Sequence, residues 1–397
     1  MNRNQIINRN QKRWAPGSFL MGTLIMASLI GFVQPEESFD PAAIFLTWQS
    51  DPTTTMIIDW HTTPEHGDRP VILHYKKVGD QEWIETVGNY RGFPHSDRRI
   101  NRVELRRLEP ATSYRFRFGE DSREYNFRTM PADLNEPITF VTGGDTSHEN
   151  HDMTEVAMTY DPDFILWGGD LAYANGDPER VHYWYGWFDG IKQHLISNDG
   201  RVVPVVVAIG NHELFGERRI SDLSVEEALE FMRKYNLWDD KPTYFFDLFA
   251  FPGRQEMAYG VLDFSDYMSV VLLDSDHSSS ITGAQSGWLE AVLSERAGTP
   301  HIYPIYHVPA YPSHRSYSGG TQTRIRENWV PLFERHGVRV AFENHNRPVF
   351  ILPSGIGCGI DITWPAFNTN GSVDFIEIKR TCILKSFTPY RMTTGKC

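Results

Sequence analysis

Five hydrophobic runs in this 397-residue chain each lead, within a few residues, to a side chain able to hold a metal ion. Ile138-Thr139-Phe140-Val141 passes through Gly143-Gly144 to Asp145, and Phe164-Ile165-Leu166-Trp167 passes through Gly168-Gly169 to Asp170, with Tyr173 three residues on. Val202 to Ile209 leads to Gly210-Asn211-His212-Glu213, Ile302 to Tyr306 runs into His307, and Val338 to Phe342 runs into Glu343-Asn344-His345. In open α/β sheets functional groups collect at the carboxyl ends of the strands. Short buried strands are therefore expected to bring Asp145, Asp170, Tyr173, Asn211, His307 and His345 to one rim. Oxygen and imidazole donors without a thiolate suit hard or borderline cations. Two such cations, about 3.5–4 Å apart, would clamp the attacking and leaving sides of an in-line displacement and acidify water.

Taken singly, each residue has a plainer role. An Asp after Gly-Gly is commonly a turn residue, and a His after an apolar run is commonly a satisfied rim histidine. The joint order of all five at strand ends is what points to a metal site. Within it, Asp170 is the better candidate to bridge two cations, because Tyr173 shares its loop. Asn211 offers a neutral oxygen, and His212 beside it a donor to a substrate oxygen. His314, shortly after His307, is a further candidate for substrate contact on loop position. His148 and His151 are expected at a helix start or on the surface, and Trp184, Tyr185 and Trp187 in helix packing.

These groups need elements to hold them. Residues 38–133 are expected to be all-β. The short runs Ile44–Trp48, Thr55–Trp60, Val71–Lys76, Arg102–Leu105, Tyr114–Phe118 and Tyr125–Thr129 are separated by Pro, Gly and Asp, as in a small antiparallel sandwich. The segment from Leu105 to Tyr114 resembles the corner of fibronectin type III domains, where a Tyr near a strand start bonds back to the preceding turn. Met130-Pro131-Ala132-Asp133 reads as a linker. From 134 to 347 strands alternate with helical patterns, an α/β arrangement. Helices are expected at Val225–Tyr235, at Gln285–Ala297 after Thr282-Gly283, and at Thr323–His336, ended by Gly337.

The formal charge is -13 (Asp+Glu 51, Lys+Arg 38), a field that repels nucleic acid and argues against a polyanion partner. Residues 1–37 place Arg3, Arg9, Lys12 and Arg13 ahead of an apolar stretch from Phe19 to Val33, the shape of a secretory signal or an N-terminal anchor. Either places the body outside the cytoplasm, secreted, periplasmic or on the cell surface, with no other stable membrane contact. The cysteines, Cys358, Cys382 and Cys397, have neither metal-type spacing nor a disulfide framework, and their odd number leaves at least one thiol unpaired. Nothing in the pattern sets an oligomeric state.

The motif set Gly144-Asp145, Gly169-Asp170-Leu171-Ala172-Tyr173, Gly210-Asn211-His212-Glu213 and Tyr306-His307-Val308-Pro309-Ala310-Tyr311 resembles the calcineurin-like metallophosphoesterases, and within them the purple acid phosphatases. The resemblance runs from about residue 40 to 345. It implies an N-terminal fibronectin type III-like sandwich and a C-terminal α/β metallophosphoesterase domain, a β-sandwich core flanked by helices. It also implies hydrolysis of small phosphate monoesters by a metal-bound hydroxide at a dinuclear centre. Carried over by position, Asp145 and Tyr173 would bind Fe(III), Asp170 would bridge, and Asn211, His307 and His345 would hold Fe(II), Zn(II) or Mn(II). His212 would contact the phosphate and help protonate the leaving group.

The chain departs from that family in two places. Its last motif is Gly-His-x-His, but here the stretch reads Asn344-His345-Asn346-Arg347. A guanidinium cannot ligate a cation, so Arg347 removes one imidazole from the first metal's shell unless it binds phosphate itself. Residues 348–397 also diverge, and an altered reading frame or gene end is the expectation there. The alternatives are a non-catalytic or single-metal descendant that binds phosphate, and a phosphodiesterase or nucleotidase built on the same residues.

Overall fold

The computed structural model describes residues 38–149, 151–215, 223–237, 243–253, 257–312 and 316–345, with the backbone of 361–363 and 377–379. The N-terminal segment 1–37, most of 348–397, His314, Arg347 and the three cysteines lie outside the described residues.

Eight strands form the first domain: β1 (Ala43–Thr47), β2 (Met56–Thr62), β3 (Ile72–Lys77), β4 (Ile84–Val87), β5 (Asn89–Gly92), β6 (Arg99–Leu105), β7 (Ser113–Phe118) and β8 (Tyr125–Arg128). They pair antiparallel in two sheets of order β1-β2-β6-β5 and β4-β3-β7-β8. The expected corner is present: Glu109 N–H donates to the Tyr114 hydroxyl at 2.9 Å. The strands β4 and β5 were not expected, because their side chains are mostly exposed and carry no alternating apolar pattern.

The second domain holds two sheets. β9 (Phe140–Gly143), β10 (Phe164–Trp167) and β11 (Val205–Val207) form a parallel sheet with β10 central. β12 (Gly260–Phe264), β13 (Met268–Leu272), β14 (His301–Tyr306) and β15 (Phe342–Glu343) form a mixed sheet in that order, with only β12 antiparallel. Aromatic rings join them: Phe164 lies 5.3 Å from Phe264, and Phe140 lies 5.8 Å from both Tyr303 and Phe342. All five rings are buried, and each is worth about 2–3 kcal/mol relative to exposure. A hairpin of β16 (Asp361–Thr363) and β17 (Glu377–Lys379) is antiparallel.

Helices cover these sheets. Among the described residues they are, in chain order, α1 (Asp152–Met158), α2 (Val181–His194), α3 (Val225–Tyr235), the single turn α4 (Phe245–Leu248), α5 (Ala284–Glu295), α6 (Gly320–Asn328) and α7 (Val330–Arg335). The expected single helix over Thr323–His336 is two. Pro331 enters at the first turn of α7, where a missing N–H is tolerated, but as an interior residue it would break a continuous helix. α5, α6 and α7 bury Leu289, Leu293, Ile325, Trp329 and Phe333 with Val271 and Tyr306 of the mixed sheet.

The two domains share one apolar core. Phe45 of β1 packs 4.9 Å from Phe188 of α2, and Trp48 packs 5.9 Å from Phe164. The segment expected as a linker is anchored: Met130 is buried, and Pro131 O accepts from the Tyr267 hydroxyl at 2.9 Å. Charge is buried in the same contact. Arg102 holds Asp59 at 2.6 Å and donates to Leu248 O at 3.2 Å.

His61 sits in this contact, fully buried, with its ring 4.6 Å from Phe188, 5.3 Å from Phe93 and 5.9 Å from Phe45. Neither ring nitrogen has a hydrogen-bond partner among the described residues. Burial, reinforced by Arg98, Arg102 and Arg91, pushes its pKa down to about 3. The unfolded value is near 6.5, so only the unfolded chain takes the proton between those limits. The stability present above pH 6.5 is therefore lost progressively as pH falls toward about 3. His61→Phe fills the aromatic cage without a titrating group. Between pH 6 and 4 the wild type should lose about 1.4 kcal/mol per pH unit more than the variant. Denaturant unfolding of both proteins measures this, and parallel pH dependence would exclude His61 as the cause.

Candidate metal centre

The site is built on backbone that only a strongly determined fold would keep. Asp145, Asp170, Tyr173, Asn175 and His345 all have left-handed φ, between 55° and 65°. For non-glycine residues that conformation costs about 1–3 kcal/mol each, and such outliers gather at functional sites. The turns hold because the strand ends are tied: Asp145 N–H donates to Gly169 O at 3.0 Å, and Gly168 N–H to Gly143 O at 2.6 Å. Gly169, at φ 93°, also leaves no room for a side chain, since a Cβ there would stand 2.6 Å from Gly210 N.

Asp170 is buried at the centre. Its Oδ1 accepts the His212 N–H at 2.8 Å, and its Oδ2 lies 2.9 Å from His307 Nε2. His307 is fully buried and donates Nδ1–H to Gly168 O at 2.9 Å, which turns Nε2 toward the cluster. His345 Nδ1 lies 2.9 Å from that same Nε2, and His345 N–H donates to Asp145 Oδ2 at 2.9 Å. The Tyr173 hydroxyl donates to Asp145 Oδ1 at 3.1 Å. Burial alone would raise the Asp170 carboxyl, but His307 and then His212 hold it well below the carboxylate range. Burial alone would lower His307, yet the Asp170 charge raises it. The pair thus favours positive charge beside Asp170.

Ligand atoms of Asp170, His307 and His345 all fall within 4.8 Å of one another. Asn211 Oδ1 is buried and has no hydrogen-bond partner among the described residues. A buried carbonyl oxygen without a donor is costly, and on a loop whose next residue bonds Asp170 its natural partner is a cation. The donors present thus fit a metal.

Several residues hold this set in place. Glu213 is buried and its carboxylate takes three backbone N–H groups: Asp170 at 2.8 Å, Leu171 at 2.8 Å and Gly210 at 2.7 Å. It staples the Asp170 loop to the Asn211 loop. Burial, with the Asp170 charge, pushes its pKa up to about 7. Glu343 Oε1 accepts from the Tyr306 hydroxyl at 2.5 Å and Ala310 N–H at 2.9 Å, fixing the turn after His307. Trp187 of α2 donates to Thr146 Oγ1 at 3.0 Å, and Thr146 donates to Leu171 O at 2.8 Å.

The expected residues Asp145, Asp170, Tyr173, Asn211, His212, His307 and His345 stand at this one rim; His314 and Arg347 lie outside the described residues. His148 stands behind it, with Nδ1–H donating to Ala172 O at 3.1 Å and its ring stacked 3.6 Å from Tyr183. His151 flanks α1, and Trp184 and Trp187 are helix packing as expected. Asn175 was missed: its Oδ1 is bonded to His212 Nδ1, and the His212 ring lies 4.2 Å from Tyr173. Spacing gave no signal for it, since Asn before Gly is ordinarily a turn residue.

Such donors at the strand ends of a two-sheet α/β domain make a candidate hydrolytic metal site. Two family models match the chain. The purple acid phosphatase N-terminal domain matches residues 41–129, and the calcineurin-like phosphoesterase matches residues 138–345. The chain therefore belongs to the calcineurin-like phosphoesterases, as a metallophosphoesterase of the purple acid phosphatase family. It is 27% identical over 254 residues to probable purple acid phosphatase 20 of Arabidopsis thaliana, covering 62% of this chain and 54% of the relative. It is 26% identical over 289 residues to purple acid phosphatase 21 of the same plant, covering 71% and 58%. A serine/threonine-protein phosphatase of Danio rerio, CPPED1, is 28% identical over 216 residues, covering 51% and 62%. The chain thus spans about half to three fifths of the length of these relatives.

Glu213→Gln replaces a three-fold acceptor by an amide with one acceptor oxygen, so both loops loosen. Metal affinity, measured by chelator competition, should fall about 10–100-fold, as for other groups that orient ligands from behind. An unchanged affinity would remove Glu213 from the site's support.

Proposed function

We propose that this chain hydrolyses phosphate monoesters at a dinuclear cation centre. Asp145 and Tyr173 would hold one cation, Asn211, His307 and His345 the other, with Asp170 between them. The observation that carries this is the convergence of Asp170, His307 and His345, with the buried, unpartnered Asn211 Oδ1 on the loop that bonds Asp170 through His212 N–H. Bound cations supply positive charge to phosphoryl oxygens and make water a stronger acid. The chain's own residues do the rest. Asp170 is kept ionised by His307 and His212, and its position is set by Glu213. Asn175 Oδ1 can only accept, so His212 Nδ1 carries a proton, while its Nε2 lies 3.7 Å from Asp170 Oδ2 at the centre of the cluster. From there His212 orients a phosphate oxygen and delivers a proton to the leaving oxygen. The basic-then-apolar order of residues 1–37 supports export of the folded body.

Arg347 favours a second reading, a single-cation protein that binds phosphate without turnover. Metal analysis and aryl phosphate turnover from pH 4 to 8 separate the two. Hydrolysis with two cations per chain is expected, and Asp170→Asn should lower kcat by about a thousandfold or more. One cation without turnover would establish the second reading. Iron at the first position should give a visible phenolate band, abolished by Tyr173→Phe with iron content retained; a colourless iron-loaded wild type would refute that ligand.

A further inference from the structure

A sixth strand end reaches the same rim. β13 is the parallel neighbour of β14, whose end carries His307, and beyond β13 the chain reads Leu273-Asp274-Ser275-Asp276-His277. This loop is firmly built. The buried Asp274 carboxylate accepts N–H groups of His277 at 2.7 Å, Ser278 at 2.9 Å and Ser279 at 2.7 Å, with the Ser278 hydroxyl at 2.7 Å. Gln285 of α5 then clamps Asp274 from both sides, accepting its N–H at 2.8 Å and donating to its carbonyl at 2.9 Å.

The loop sets the His277 ring 5.6 Å from the ring of His307, which itself lies against Asp170 and His345. Ser275 fixes its orientation. Ser275 Oγ accepts the Val308 N–H at 2.9 Å and is hydrogen-bonded to His277 Nε2 at 3.1 Å. With the Ser275 hydroxyl as donor in that bond, the arrangement that uses its hydrogen, the ring proton stands on Nδ1. A donor at Nδ1 persists whether or not the ring carries a second proton.

We propose that His277 is a phosphate-positioning residue, its Nδ1–H donating to a non-bridging oxygen of the bound phosphate group. The inference rests on the phosphate chemistry proposed above, and adds a donor from the mixed sheet opposite those of the parallel sheet. No covalent step passes through it, so it acts on binding in ground state and transition state alike.

Three variants of the full chain test this. His277→Phe keeps the ring volume without the donor, His277→Ala removes both, and His277→Gln restores an N–H of similar reach. Phosphate binding to the metal-loaded protein is read by calorimetry, beside KM and kcat for an aryl phosphate. The Phe and Ala variants are expected to weaken inorganic phosphate and raise KM about tenfold, with kcat changed less than about threefold. Metal content and melting temperature should hold, and Gln should recover most of the affinity. Unchanged phosphate affinity in Phe and Ala would overturn the proposal, as would a joint loss of metal and kcat that Gln fails to rescue. A wild type that binds phosphate but hydrolyses no ester sinks the proposed reaction while the affinity series still judges His277. A wild type that binds no phosphate overturns both.

Discussion

Keeping one carboxylate charged while it is buried is the constraint around which this molecule is arranged. Asp170 is 1% exposed, and taking an unpaired carboxylate out of water costs several kcal/mol even after relaxation. The fold offsets that cost locally. His212 donates a backbone N–H, His307 lies against the other oxygen, and Glu213 gathers the backbone N–H groups of the turn itself. Glu213 is a second buried acid beside the first, and burial with that neighbour pushes it up to about 7. Two acids and two imidazoles in one dry volume balance well only when a further positive charge joins them, which is what a cation supplies.

The strained turns follow from the same demand. A strand that ran on straight past Trp167 would carry Asp170 away from His307, so the chain must reverse through Gly168-Gly169 into a left-handed aspartate. The sandwich domain contributes to holding this. Its β1 strand is buried on both faces because one face packs on α2, and α2 in turn reaches the loops of Asp145 and Asp170 through Trp187 and Thr146. An aromatic layer that looks like ordinary packing therefore also braces the backbone between Asp145 and Tyr173. The sandwich and the phosphoesterase domain behave as one core, with Asp59, Arg102 and His61 enclosed where they meet.

Much of this was legible from the chain because two strong signals coincide at the site. Runs such as Phe164–Trp167 mark buried parallel strands, and paired glycines mark where they must turn. The Tyr114 corner was legible for a similar reason, a fixed offset between a turn and a strand. What escaped lacked such a signal. β4 and β5 expose most of their side chains, so no apolar alternation announces them. Pro331 splits a periodic segment that looks continuous when only its apolar positions are counted. Glu213 and Asn175 act through a backbone and a ring brought near by folding, which spacing does not encode. His277 follows a strand end like the other donors, but three polar residues precede it and hide the pattern.

The substitution at position 344 shows how a departure from the family pattern can be absorbed. Where the resembling proteins place glycine before the ligating histidine, this chain has Asn344, buried at 5% exposure. Its amide lies over Gly144 and Gly168, and a Cβ at either glycine would collide with it. Asn344 Nδ2 donates to Tyr306 O at 3.2 Å, and its own N–H donates to His307 O at 3.0 Å. One side chain therefore links the ends of β9, β10 and β14, three of the strands that carry donors. His345 keeps its place, its N–H on Asp145 and its ring on His307. The glycines facing it leave room for the larger residue, so the cluster of Asp170, His307 and His345 tolerates the change. Under the proposed two-cation reading the remaining burden falls on Asp145 and Tyr173, which offer a cation only oxygen ligands.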